Sequence, residues 1–233
     1  MNKFLKQFLP VMAIALLFGS VSVAESRAQG VLNEILKRMD AQNKSLTSLR
    51  ADVTLAKVDA NLGADNADIS KGNAVYLPRK GKDALLRIDY TSPNQSLAVV
   101  DKMYVMYQPR LNQAYTGSTD SATKGNAKAS GVMAFMNMSR AQLKANYSVA
   151  YLGEATVAGG VKTWHLELTP KTQMSYKSAE VWIDSDGFPV QSKVIEKNND
   201  STTILLSNIK KNVTIDAAVF KIKLPSGTKI IKA

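Results

Sequence analysis

The run Lys82-Asp83-Ala84-Leu85-Leu86-Arg87-Ile88-Asp89-Tyr90-Thr91-Ser92-Pro93-Asn94 carries the fold in miniature. Ala84, Leu86, Ile88 and Tyr90 share one face, Asp83, Arg87 and Asp89 share the other, and the run stops at a Ser-Pro-Asn turn signal. Alternation of this kind marks a half-buried β-strand. One apolar face means an antiparallel sheet lying with that face on a core.

The same period of two recurs on both sides of this run. Val53 and Leu55 alternate with Asp52 and Thr54, and Val75 and Leu77 with Ala74 and Tyr76. Met103, Val105 and Tyr107 continue the pattern. Further on, Trp164, Leu166 and Leu168 oppose Thr163, His165 and Glu167, and Ala179, Val181 and Ile183 oppose Glu180 and Asp184. Thr202, Ile204 and Leu206 follow, then Phe220, Ile222 and Leu224 against Lys221 and Lys223. Turn signals separate the runs: Pro78 with Gly81, Gly159-Gly160, Asp186-Gly187, Asn198-Asn199-Asp200 and Pro225-Ser226-Gly227. Short consecutive strands joined by tight turns predict one antiparallel sheet of roughly ten or more members. A sheet of that size curls, and its apolar face then encloses an apolar interior.

Two segments break the rhythm. Residues 31–46 have a helical period, with Leu32, Ile35, Leu36, Met39 and Leu46 on one stripe and Lys37, Arg38, Asp40 and Asn43 opposite. Residues 118–130 are small and polar, which predicts a flexible loop. It leads into Val132-Met133-Ala134-Phe135-Met136-Asn137-Met138, read as a short Met-rich helix, and then Ser139, a helix N-cap ahead of a second short helix. Flexible, polarizable methionine suits variable apolar partners, so Met133, Phe135 and Met136 are expected to act as a lid over the interior.

The N-terminus has its own pattern. Lys3 and Lys6 precede an apolar run from Phe8 to Val23, and two small-x-small sites end at Ala24 and Ala28. This is the layout of a secretory signal peptide. The expected organisation is residues 1–28 as a cleaved signal and residues 29–233 as one domain of an exported, soluble, periplasmic protein. Without residues 1–28 the chain holds 27 basic and 18 acidic side chains, a balance of +9. The lysines are scattered and not interleaved with aromatics, so no nucleic-acid platform is expected. With no cysteine, neither a disulfide nor a lipid-bearing thiol is possible.

Catalytic chemistry finds little support. His165 is the one histidine, it lies in a strand, and no serine sits in a Gly-x-Ser-x-Gly elbow. Asp184-Ser185-Asp186-Gly187 starts like a calcium loop but lacks the later ligands and the closing glutamate, so it reads as a hairpin turn. No metal, cofactor or enzymatic activity is expected.

The pieces in order resemble the periplasmic outer-membrane lipoprotein carrier family, the LolA type, over roughly residues 30–232. An N-terminal amphipathic helix runs into a strand at Leu49–Lys57. Gly72 is followed by Tyr76-Leu77-Pro78-Arg79, and Leu86-Arg87-Ile88-Asp89-Tyr90-Thr91-Ser92-Pro93 is similar to the family strand that ends in an aromatic and a proline turn. Asp101-Lys102-Met103-Tyr104-Val105-Met106-Tyr107 resembles a family hairpin. Leu166-Glu167-Leu168-Thr169-Pro170-Lys171 matches its L-x-L-x-P-K strand end, and Val181-Trp182-Ile183-Asp184 leads to Gly187-Phe188-Pro189. Phe220, Ile222, Leu224, Pro225, Gly227, Thr228 and Ile230 are similar to its C-terminal signature.

The resemblance implies an α+β fold, an incomplete antiparallel β-barrel of about eleven strands, with helices closing its open side over a hydrophobic cavity. It implies a non-enzymatic carrier, acting as a monomer. Acylated lipoproteins would be the cargo, an inner-membrane ABC release complex the donor, and an outer-membrane acceptor the recipient. Arg79 would help hold the lid closed. The acyl chains would meet Leu86, Ile88 and Tyr90, Val105 and Tyr107, Met133, Phe135 and Met136, Trp164 and Leu166, and Val181 and Ile183. Relatives of this fold also carry or sense other amphiphiles such as glycolipids, so the resemblance leaves that alternative open.

Overall fold

The computed structural model describes residues 19–80, 82–119 and 138–232. Its elements are helix α1 (Gly19–Ser45), strands β1 (Leu49–Val58), β2 (Asp68–Arg79), β3 (Lys82–Ser92), β4 (Asn94–Val100), β5 (Met103–Gln108) and β6 (Gln113–Ser118), helix α2 (Arg140–Asn146), and strands β7 (Tyr147–Val157), β8 (Val161–Pro170), β9 (Tyr176–Ile183), β10 (Pro189–Glu196), β11 (Ser201–Lys211) and β12 (Lys229–Lys232). The twelve strands form one sheet in the order β12-β6-β5-β4-β3-β2-β1-β11-β10-β9-β8-β7. Two antiparallel meanders, β1–β6 and β7–β11, are thus joined through the antiparallel pair of β1 with β11. Among the described residues no ladder joins β7 to β12, so the sheet curls without closing.

Local irregularities bend it. The β2–β3 register shifts at Lys71/Gly72. There a Cβ on Gly72 would stand 2.1 Å from the Asp89 carbonyl oxygen and 2.7 Å from Tyr90 Cα, so only glycine lets the two strands approach this closely. A second shift lies between Tyr151 and Gly153 in the β7–β8 pair. Such irregularities bend a strand and raise its local twist.

The apolar stripe of α1 is buried as its period predicts: Leu32, Ile35, Leu36 and Met39 pack with Leu166, Leu168, Ala179, Val181 and Ile183 of β8 and β9. The helix begins well upstream of the predicted start at residue 31. Two devices fix it. At its C-terminal end, Asn212 Oδ1 accepts from Thr47 N (2.8 Å) and Thr47 Oγ1 (3.0 Å), and the Ser48 hydroxyl donates to the Val213 carbonyl. At its middle, the β9–β10 hairpin presses on Arg38: Gly187, at φ +89°, leaves a would-be Cβ 2.4 Å from the Arg38 carbonyl carbon, and Arg38 Nη1 donates to the Ser185 carbonyl at 3.0 Å. The Asp184 carboxylate caps that hairpin, accepting from Asp186 N (3.0 Å) and Phe188 N (2.8 Å). Short polar side chains make turns in this way, and the Asp-Ser-Asp-Gly stretch is a hairpin turn in the structure.

Helix α2 starts at the predicted cap. Ser139 Oγ accepts from Gln142 N (3.2 Å) while Gln142 Oε1 accepts from Ser139 N (2.9 Å), a complete capping box. Arg140 and Lys144 both donate to Asn33 Oδ1 of α1. The Met-rich helix and most of the polar loop fall outside the described residues.

The C-terminal region corrects the sequence reading. Phe220, Ile222 and Leu224 do not form a strand. Ala217–Phe220 is a 3-10 turn capped by Asp216, whose carboxylate accepts from Ala218 N at 2.9 Å, and residues 221–225 carry no ladder. The final strand is β12, which pairs in parallel with β6, Ile230 opposite Ala114. Phe220 is buried with Val75 and Leu85 on the convex face of the sheet. The alternation of lysines with apolar residues therefore records one buried side chain, Phe220, followed by half-buried Ile222 and Leu224 between exposed lysines, with no ladder.

Candidate functional site

The concave face of the curled sheet is apolar across both meanders. One cluster joins Leu49, Ala51, Val53 and Leu55 of β1, Ala74 and Tyr76 of β2, Leu86, Ile88 and Tyr90 of β3, Leu97 and Val99 of β4, Tyr104 of β5, and Ile204 and Leu206 of β11. Of its buried members, only Leu46 and Phe188 lie outside the strands. The sheet thus fills this part of its interior with its own side chains. The second cluster lies beneath α1 and α2.

The residues singled out in the sequence divide between these two regions. Leu86, Ile88 and Tyr90 lie in the first cluster, with Ile88 fully buried. Trp164, Leu166, Val181 and Ile183 lie in the second, where Arg38 of α1 sits 5.5 Å above the Trp164 ring. Val105 and Tyr107 require correction. The β4–β5 register places Tyr104 opposite Val99 and Met106 opposite Leu97, so Tyr104 and Met106 face the interior and Val105 and Tyr107 face away. Strand β2 shows the same inversion, with Ala74 and Tyr76 inside and Val75 and Leu77 under the C-terminal segment. Met133, Phe135 and Met136 lie outside the described residues.

Arg79 stands at the end of β2. Its Nε donates to the Asp83 carbonyl (2.7 Å) and its Nη2 to Asp101 Oδ1 (2.6 Å), tying the β2–β3 turn to the β4–β5 turn. On the convex face Arg87 makes a bidentate pair with Asp89, at 2.7 and 2.9 Å, and donates to the Val219 carbonyl at 2.8 Å. It clamps the C-terminal 3-10 turn and plays no part in the interior. His165 is likewise convex: it stacks on Trp182 with ring centroids 4.2 Å apart and bonds Glu180 at 2.8 Å. Its partners are structural, and no nucleophile is among them. Among the described residues no group of histidines and carboxylates is disposed to hold a metal ion.

Sequence reasoning named Tyr90 for its ring alone and passed over Tyr76 and Gln95. Among the described residues, the hydroxyls of Tyr76 and Tyr90 and the side-chain nitrogen of Gln95 are buried without a hydrogen-bond partner. Burial pushes both tyrosine pKa values well above the usual phenol range. The available signal was parity, because Gln95 shares its strand face with Leu97 and Val99.

Near α1 a small cleft is lined by Met39, Gln42, Leu46, Met138, Phe188 and Pro189; the space open to a water-sized sphere is ≈ 10 Å³, room for about one water. Any acyl chain entering here must displace side chains. Among the described residues the outer edges of β7 and β12 are not joined by a ladder, so the sheet has an open side.

Comparison with known proteins agrees with this architecture. Residues 66–223 match the family described as outer membrane lipoprotein carrier protein LolA. No curated protein sequence matches the chain significantly. Among solved structures, an uncharacterized conserved protein from Thermus thermophilus superposes with a TM-score of 0.52 at 14% identity, covering 87% of this chain and 99% of that one. MucB, known also in a complex with MucA from Pseudomonas aeruginosa, gives 0.51 at 15% identity over 82% of this chain. The present chain spans 62% of MucB. A putative outer membrane lipoprotein-sorting protein domain from Vibrio parahaemolyticus gives 0.45 at 12% identity, covering 80% and 94%.

Proposed function

Because the chain belongs to the outer membrane lipoprotein carrier family, we propose that it is a periplasmic carrier that shelters the acyl chains of lipoproteins in its concave interior. Residues 1–28 are its cleaved export signal and residues 29–233 the carrier domain. It receives cargo from an inner-membrane ABC release complex, delivers it to an outer-membrane acceptor, and catalyses no reaction. One observation carries this reading: an apolar concave face, built of two clusters, in a sheet whose two outer edges are not joined to each other among the described residues.

The physics of handover suits such a sheet. An exposed acyl chain costs about 0.8 kcal/mol per CH₂ in water, so a shuttle must bury it. A shuttle must also release it. Here the interior side chains pack on one another when no cargo is present, and this self-packing competes with cargo. Apparent affinity falls by the fraction of molecules already open, which favours transfer to a permanently open acceptor.

The test is mass spectrometry of the protein purified gently from the periplasm. Co-purified triacylated lipoproteins are expected. A free glycolipid in their place would refute lipoprotein cargo while retaining the cavity. Leu86→Glu and Ile88→Glu place a carboxylate in the interior; a folded variant that still carried lipoprotein normally would refute the site.

A further inference from the structure

The first cluster contains a feature that a purely hydrocarbon-binding surface would not need. Tyr76, Tyr90 and Gln95 are 4%, 2% and 3% exposed, and the two hydroxyls and the Gln95 nitrogen have no hydrogen-bond partner among the described residues. Buried polar groups are almost always paired, and an unpaired one destabilises the fold relative to Phe or Leu at the same place. Tyr90 and Gln95 are directly opposite one another in the β3–β4 ladder, so their Cβ atoms lie about 5 Å apart on one face. Tyr76 stands opposite Leu86, two inward positions along β3 from Tyr90, which is about 13 Å at the rise of a strand. Around these groups the surface is Leu86, Ile88, Leu97 and Val99.

All three groups can donate: an amide N–H and two phenolic O–H groups. They stand in apolar surroundings, which favours a neutral acceptor over an anion. Arg79 stands at the other end of β3, opposite Lys82, and is engaged with Asp101 and the Asp83 carbonyl. The acceptor that enters an apolar site attached to apolar chains is the carbonyl of an acyl ester.

We propose that Tyr90 and Gln95 form an acyl-carbonyl subsite, donating hydrogen bonds to the ester carbonyls of a bound diacylglyceryl group. This inference rests on the carrier reading and specifies it: the protein reads the linkage as well as the chains. Placing donors where only bound cargo can satisfy them also orients the lipid, with its glyceryl end beside the β3–β4 turn and its chains along β3 and β4.

The experiment compares two lipids of equal hydrocarbon content presented to the delipidated protein in mixed micelles: 1,2-dioleoylglycerol, which has two ester carbonyls, and 1,2-di-O-oleylglycerol, which has none. The wild type is expected to bind the diester about tenfold more tightly, the scale of one or two net hydrogen bonds. Tyr90→Phe and Gln95→Leu should each cut this preference several-fold. Both should raise the thermal midpoint of the lipid-free protein by removing an unpaired group. Equal binding of the two lipids by the wild type would overturn the subsite and leave the carrier reading intact. An undiminished preference in both variants would likewise remove these residues from it. Failure of the wild type to bind either lipid would refute the carrier reading itself, and the subsite with it.

Discussion

Replacing Gly187 by alanine tests whether the β9–β10 hairpin clamps α1. At φ +89° a non-glycine residue costs about 1 kcal/mol in backbone strain. The added Cβ would also stand 2.4 Å from the Arg38 carbonyl carbon, 2.6 Å from its oxygen and 2.7 Å from its Cβ. None of these atoms is the far end of a flexible side chain, so helix and hairpin must separate by about 1 Å to reach ordinary contact near 3.5 Å. A gap of that size forfeits a quarter or more of the packing across it. Leu32, Ile35, Leu36 and Met39 lie on the buried stripe. At about 2 kcal/mol each they represent about 8 kcal/mol of burial, so the displacement costs about 2 kcal/mol and the whole substitution about 3 kcal/mol. Gly160→Ala is the control: φ is +78°, nothing lies within 4 Å of its would-be Cβ, and its cost is the strain alone, about 1 kcal/mol. Urea unfolding followed by the fluorescence of Trp164 and Trp182 measures both. Midpoints equivalent to within about 0.5 kcal/mol of each other would refute the clamp.

Three further outcomes follow from the same geometry. Arg87→Ala should lower stability by about 1–2 kcal/mol, and limited proteolysis should show earlier cleavage around the 3-10 turn that Arg87 holds; unchanged cleavage there would separate Arg87 from the C-terminal segment. Ser139→Ala removes half of the capping box and should cost about 1 kcal/mol, with faster amide exchange confined to the start of α2. Tyr76, Tyr90 and Tyr176 have pKa values raised chiefly by burial, with the Tyr147 hydrogen bond adding to Tyr176. A raised folded pKa gives stability that is complete below the unfolded value, near 10, and is lost as pH rises beyond it. Unfolding free energy should therefore decline above about pH 10, and absorbance at 295 nm should show these phenols ionising only as the protein unfolds.

The helix stripe and strand β3 were legible because each has a clear polar side. Alternation in β3 runs against Asp83, Arg87 and Asp89, and Ile88 is buried accordingly. Strand β2 lacks that reference, since Val75 and Leu77 are apolar, the first buried and the second half-buried in the cluster that holds Ile215, Val219 and Phe220. A period of two cannot tell which of two covered faces is the inner one. Strand β5 is worse, because Met103-Tyr104-Val105-Met106-Tyr107 has no charged position at all; only its pairing with β4 settles the parity. The C-terminal lysine alternation misled for the opposite reason: its charges are real, but among the described residues no partner strand pairs with them. In the candidate site, apolar character predicted Leu86, Ile88 and Tyr90. The attention given to hydrophobic residues passed over Gln95, whose polarity at an inward position is its distinguishing mark.

The union of β1 with β11 governs the order in which the molecule can assemble. Strands β2 to β5 find their partners close by along the chain, and so do β8 to β10. Leu55, however, meets Ile204, so the central seam waits until nearly the whole polypeptide is available. Because the chain is made N-terminus first, β1 is synthesised early and stays without this neighbour while the second meander is still being made. Ladders between distant segments form slowly, and an open edge with an apolar face is prone to wrong association in the interval. The seam at the middle of the finished sheet is therefore sewn late, followed only by the short pair of β12 with β6, and the newborn polypeptide depends on being kept apart from its neighbours until β11 arrives.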